Sequence, residues 1–346
     1  MKIMLISPLP PPSGGIASWT TRFLAWSKGK LDVLVVNTAL IGTRAAKAGA
    51  RMKVCEELSR SLRIVRETAA KLREKPDIVH LNTSCSKVGI MRDWLCVRMA
   101  NMRGVPVIVH CHCNIEDQLG SGKLAISFFR NMVKLSSAVL VLNDRSKCFV
   151  QRFGSNRVRI CPNFVLEEQI AASHVIRDTL ETFLYVGDVR FAKGSDDIYQ
   201  LADQFPEKRF VLAGSVAEEM KAVKKPKNVT LLGRLEASDV CKWMDQADVF
   251  LFPSLTEGFS NALLEAMARG LPVLATDVGA NMDMIEKRGG EIVAVHDMAA
   301  MKAAVIRMES CSLRAQMSAW NIRKTAECYT QNVVICGLLD DYHAAL

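Results

Sequence analysis

The run LFPSLTEGFSNALLEAMARGLPVLATDVG, residues 251–279, restricts the fold more than any other stretch of the chain. It opens as the end of a buried strand, VFLFPS. A glycine-containing turn, a short helix and a second apolar strand, LPVLAT, follow. Ser260 has the residue type of a helix N-cap, Gly270 that of a helix stop, and Pro272 blocks further helix. Two apolar strands joined through a helix make a βαβ unit of a parallel sheet, because parallel neighbours need a long crossover. Glu257 falls where the chain leaves the sheet, and Glu265 falls one turn into the helix. Between them Gly258, Phe259, Ser260, Asn261 and Ala262 offer backbone N–H groups at the positive end of that helix. Such an anion site, with a carboxylate on each flank, suits a diphosphate that joins two hydroxyl-rich groups.

The rest of the chain repeats the alternation. At 346 residues, 49% of them hydrophobic, there is material for two domains with a core each. Strands are expected at 2–7, 31–37, 77–82, 105–110, 138–142 and 158–161, then at 183–187, 209–213, 230–232, 249–252, 271–276 and 291–295, with helical stretches between. That pattern predicts an α/β chain of two doubly wound, Rossmann-like sheets. The domains are expected at 1–168 and 178–327, with a polar linker at 166–180 and a terminal helix, 328–346, returning to the first domain. No apolar run reaches membrane-spanning length, and MKIMLISPLPPP lacks a signal-peptide layout, so the chain is expected in the cytosol. Eleven scattered cysteines suit reduced, buried thiols.

Charge is uneven. Residues 1–169 hold 26 Lys+Arg against 12 Asp+Glu, whereas the whole chain carries a net +9. The first half is therefore strongly basic and the second mildly acidic. The surplus concentrates in 44–75, where Val54, Leu58, Leu62 and Val65 recur at helical spacing and predict a buried stripe under a basic face. A basic, amphipathic stretch at 124–135 accompanies it. Nucleic acid, an anionic membrane surface and polyphosphate substrates are the partners this asymmetry allows. No RNA- or zinc-finger-type motif appears, which argues against nucleic acid.

Three further places carry chemistry. Gly14 and Gly15 follow the first strand and open a helix, a turn that lets backbone approach a ligand. It is not GxGxxG, so a dinucleotide is not implied. The run His110 to Asn114, HCHCN, alternates ligand types on a strand. His110 and His112 then share one face and Cys111 and Cys113 the other, so four ligands cannot converge and no metal is expected. The segment GDVRFAKG, 187–194, puts Arg190 and Lys193 where a strand ends, able to neutralise a departing diphosphate.

EGFSNALLE and the Lys193–Gly194 pair resemble the donor site of GT-B fold retaining glycosyltransferases of family 4, the glycosyl transferases group 1. Asp188 stands where that family usually has arginine; Arg190 is the replacement at hand. The resemblance implies two domains facing across a cleft and transfer of a hexose or N-acetylhexosamine from a nucleotide diphosphate sugar. A UDP-sugar is favoured and GDP-mannose comes next. It implies Glu257 on a donor hydroxyl and Glu265 on the ribose. The diphosphate would lie on the amides near Asn261–Leu263 with Lys193 and Arg190, His112 at the sugar, and Gly14, Gly15 and Gly187 beside the donor. No cofactor or metal is implied. A lipid-linked saccharide acceptor, and a peripheral place on the inner face of the cell membrane, are the further expectations. A nucleotide-sugar epimerase of the same fold and a non-catalytic nucleic-acid-binding protein are the alternatives.

Overall fold

The computed structural model describes the chain except residues 12–13, 41–53, 88 and 155–156, and the side chains of 54 and 55. The chain divides into two compact units: Met1–Asn163 with Ile335–Leu346, and Phe164–Val334.

The first unit is built on strands β1 (Lys2–Ser7), β2 (Asp32–Asn37), β3 (Ile78–Thr83), β4 (Val107–Cys111), β5 (Ala138–Val141) and β6 (Val158–Ile160), all parallel. Their order is β2-β1-β3-β4-β5-β6. Ile3, Met4, Leu5 and Ile6 are all fully buried. Apolar residues on both faces are what a sheet covered by helices on each side requires. The chain reverses direction across the sheet between β1 and β3, where a ligand crevice forms in such folds.

The second unit holds β7 (Thr182–Val186), β8 (Arg209–Ala213), β9 (Val229–Gly233), β10 (Val249–Phe252), β11 (Val273–Thr276) and β12 (Gly290–Val293). They run parallel in the order β12-β11-β10-β7-β8-β9. Here the reversal lies between β7 and β10. Counted within its own unit, this is the order of a dinucleotide-binding sheet. The first unit's order is instead the flavodoxin type.

Two expectations are corrected. The segment 166–180 is not a free linker: Ala171 N–H donates to Ala268 O, His174 Nε2 bonds Ala247 O, and Arg177 pairs with Asp248. These bonds attach it to the second unit, whose first residue is Phe164 rather than one after 168. The helix Val54–Lys71 buries Ile64 and Thr68, with Leu72 following in register, while Leu58 and Leu62 are 55% and 57% exposed. Its basic face is also partly inward. Arg60 Nε donates to Thr38 O, and Arg63 donates to Asn37 O and Ala39 O. These arginines close the open carbonyls where β2 ends. The basic residues at 44–53 lie outside the described residues.

Candidate active site

In the second unit the reversal between β7 and β10 gathers the charged groups. β10 runs into Pro253 and Ser254, and the helix Asn261–Ala268 begins seven residues after Ser254. Lys193 ends a short 3-10 turn, Phe191–Lys193, that follows β7. Its Nζ lies 2.5 Å from Glu257 Oε1, and Ser254 Oγ donates to the same oxygen at 2.8 Å. The carboxylate is mostly buried while the ammonium remains about one-third exposed. An ion pair with a second donor on the carboxylate and an open edge on the cation holds both charges in place without neutralising the site.

Backbone packing makes this geometry exacting. Gly194 has φ +67, and a Cβ there would lie 1.9 Å from Pro253 O. No side chain fits, so the Lys193 turn sits directly on the end of β10. Gly279, at φ +56, packs in the same way on Glu257 O, and Ala280 N–H donates to Gly258 O. Thr276 Oγ1 donates to Ser254 O. The ends of β7, β10 and β11 thus clamp one turn.

Ser260 caps the helix, its Oγ accepting from Leu263 N–H at 3.2 Å. This corrects the expectation for Leu263, whose amide is already used. The N–H groups of Asn261 and Ala262 have no hydrogen-bond partner among the described residues. The Phe259 ring is buried against Tyr329, centroids 5.5 Å apart. Glu265 is half-buried one turn into the helix.

Sequence reading missed Ser254 and Tyr185. Tyr185 is buried in β7, and its hydroxyl donates to Asp188 O at 2.9 Å. Burial, then the nearby charges of Glu257 and Asp188, push its pKa up, and Arg190 opposes them. Arg190 and Asp188 therefore flank one phenol. Arg190 is exposed, and its backbone N–H donates to Ser195 Oγ. Gly187 lies against the Tyr185 hydroxyl, which a Cβ would approach to 2.7 Å. A serine after a strand and a tyrosine within one carry no signal of their own in a sequence.

In the first unit, Gly14 is the N-cap of the helix Gly15–Ser27, with extended backbone and open space where a Cβ would stand. Gly14, Gly15, Pro8, Ala39, Leu40 and Arg60 border a cavity of about 280 Å³. His112 is not in that border. It follows β4, beside His110 at a ring separation of 3.9 Å, with Trp19 against both. Burial, with His80 nearby, pulls the His112 pKa down to about 3. His110 is fully buried, bonded through Nε2 to Cys161 O, and shifted well below its ordinary value. Cys111 and Cys113 face away from the histidines toward Cys85, as the strand alternation requires.

The chain is similar to known proteins in three respects. The profile of the family "Glycosyl transferases group 1" matches residues 167–325. A GDP-mannose:cellobiosyl-diphosphopolyprenol alpha-mannosyltransferase of Xanthomonas campestris is 24% identical over 292 residues, 78% of this chain and 74% of that protein. Among solved structures, sucrose-phosphate synthase from Thermosynechococcus elongatus superposes at TM-score 0.78 with 15% identity, over 99% of this chain and 98% of that one. The lipopolysaccharide outer core galactosyltransferase WaaB in its apo form does so at 0.76 with 18% identity, over all of both chains. At these identities the structures establish the fold alone, and the fold is GT-B. Residues 167–325 match the glycosyl transferases group 1 family, within a chain whose fold is GT-B.

Proposed function

We propose that the protein transfers a hexose or N-acetylhexosamine from a nucleotide diphosphate sugar, a UDP-sugar first and GDP-mannose second, with retention at the anomeric carbon. The observation that carries this reading is the Lys193–Glu257 pair, with Ser254 on the same carboxylate, at the strand-order reversal of the second sheet. A bound diphosphate would draw Lys193 and the free amides of Asn261 and Ala262 to its oxygens. Glu257, still bonded by Ser254, would then accept from a sugar hydroxyl. Glu265 is assigned the ribose. Arg190, exposed beside this turn, is the second cation for the leaving group. His112 is assigned to the sugar from its place in the sequence pattern. No carboxylate is evident as a nucleophile for double displacement, so attack on the face the nucleotide leaves is the route proposed.

The acceptor is proposed to be a lipid-linked saccharide of a bacterial surface polysaccharide, reached at an anionic membrane surface on the cytoplasmic side. No helix among the described residues is long and apolar enough to cross a membrane. The excess of Lys and Arg in the first half supports peripheral contact. Nucleotide released from a panel of UDP-, GDP-, ADP- and dTDP-sugars, with and without polyprenyl-diphosphate saccharides, tests the reading. One donor should be consumed, faster with acceptor. Consumption of none, or epimerised donor with no nucleotide released, would refute it.

A further inference from the structure

A buried hydrogen-bond chain in the first unit fixes which nitrogen of His112 carries the proton. It starts at a backbone carbonyl, which can only accept. Thr20 Oγ1 donates to Ile16 O at 2.8 Å, in the first turn of the helix Gly15–Ser27. That uses Thr20's one proton, so at the 2.5 Å contact Ser7 Oγ is the donor and Thr20 the acceptor. Ser7 then has only lone pairs left, and Asn82 Nδ2 donates to it at 2.9 Å. The amide orientation follows: Asn82 Oδ1 faces His80 Nε2 and His112 Nε2, each at 3.0 Å. A carbonyl oxygen accepts, so both rings donate from Nε2. His80 Nδ1 is left to accept from the Tyr342 hydroxyl at 2.5 Å, on the terminal helix Gln331–Ala345.

Both rings are neutral. Burial brings His80 to about 4 and His112 to about 3. The groups around them are aromatic or neutral: Trp19, His110 and Tyr342. His112 Nδ1 is therefore a lone pair, and it has no hydrogen-bond partner among the described residues. His80, Asn82 and Tyr342 are almost completely buried, so no substrate need reach them for this to hold.

We infer that Asn82 is a positioning residue for the transfer: it locks His112 as the Nε2–H tautomer, so that Nδ1 is an acceptor for a hydroxyl of the substrate. The inference rests on the assignment of His112 to the sugar. It adds that the ring selects a hydroxyl, which can donate, and not a carbonyl or phosphate oxygen, which cannot. Ser7 and Thr20 orient the amide, and Tyr342 with His80 completes the same lock from the terminal helix.

The test reads the proton directly. Long-range proton–nitrogen NMR spectra of the full chain with 15N-labelled histidine, His112 assigned by its loss in His112→Gln, show which nitrogen is protonated at pH 7. The expected result is Nε2–H in the wild type. Asn82→Leu should move His112 to Nδ1–H or to a mixture, and lower kcat about tenfold or more with little change in donor KM. Should Asn82→Leu fail to fold, Ser7→Ala is the milder probe. It frees the amide to turn over and should give mixed tautomers at both His80 and His112. Nδ1–H on His112 in the wild type, or an unchanged tautomer in both variants, overturns the inference. His112→Gln with undiminished turnover would instead refute the role of His112 itself, whatever the spectra show.

Discussion

At the scale of single residues, the site depends on two charges kept close without cancelling. Replacing Lys193 by Ala removes the cation nearest the proposed diphosphate and leaves Ser254 bonded to Glu257. A lost charge-assisted contact is worth about 1.5–3 kcal/mol, or roughly ten- to a hundredfold. Lys193→Ala should lower kcat by that factor, since the charge matters most as the phosphate leaves. Glu257→Ala should lose turnover more than affinity, and Glu265→Gln should mainly weaken donor binding. Steady-state kinetics on the donor found by the panel would check this; near-normal values for both Lys193→Ala and Glu257→Ala would remove the site from consideration. The histidines give a pH effect of definite sign. His80 falls to about 4 and His112 to about 3 in the folded chain, below the ordinary value of about 6.5. Below pH 6.5 the unfolded chain binds protons that the folded one refuses. Stability from each group is thus complete above 6.5 and declines as pH falls toward the folded value, by about 1.4 kcal/mol per pH unit per histidine. Denaturant melts at pH 7 and pH 5 should show the loss, and His80→Gln should lose less between the two. Equal losses in both proteins would mean that His80 already protonates in the fold.

At the scale of elements, the sequence was most legible where local chemistry and tertiary role coincide. The cap at Ser260, the stop near Gly270 and the strands on either side were readable because each rests on residue types with one conformational use. Glu257 and Lys193 were readable as candidates, but their contact was not, since 64 residues separate them in the chain. The helix Val54–Lys71 shows where periodicity stops helping. Two stripes on it contain apolar residues at helical spacing, and spacing alone does not say which one faces inward. The sheet chose Ile64 and Thr68 and left Leu58 and Leu62 outside. Arg60 and Arg63 looked like surface charge because nothing in their order announces open carbonyls at 37–39. They act as fasteners between this helix and the end of β2. Arg63→Gln should lower stability by about 1.5 kcal/mol, the low end for hydrogen bonds to a charged group, because the guanidinium is about one-third exposed. Equilibrium unfolding measures it, and a change indistinguishable from that of Arg66→Gln would contradict the fastening role. Ser254, Tyr185 and Asn82 belong with the illegible part: each works through a neighbour that only the fold supplies.

At the scale of the whole molecule, the fold narrows the basic residues that can meet an anionic surface. Arg51 and Lys53 lie outside the described residues, and Arg60 and Arg63 are committed within the unit. Arg66, Arg73, Lys123 and Lys134 are exposed and remain for an anionic surface. Each could contribute about 1 kcal/mol at a membrane rich in acidic lipid. Changing these four to Gln should abolish sedimentation with anionic vesicles while donor affinity is unchanged, and high salt should release the wild type. Equal sedimentation with neutral and anionic vesicles would leave a water-soluble acceptor as the better reading. Activity should also survive EDTA, because no Asp-x-Asp occurs in the chain and cations and amides are proposed to hold the diphosphate. Loss with chelator and recovery with Mg²⁺ or Mn²⁺ would show that the phosphate site has been misassigned.

The central claim is that the turn clamped between β7, β10 and β11 binds a nucleotide diphosphate sugar, and a thermal-shift titration of wild type, Lys193→Ala and Glu257→Ala against the donor panel tests it most directly. A ligand that binds only the folded chain raises its stability as ln(1 + [L]/Kd). One nucleotide diphosphate sugar should raise the wild-type melting temperature with a saturable dose dependence, and Lys193→Ala should need about ten times more of it, or beyond, for the same shift. No shift with any donor, or an identical titration in wild type and both variants, would contradict the account.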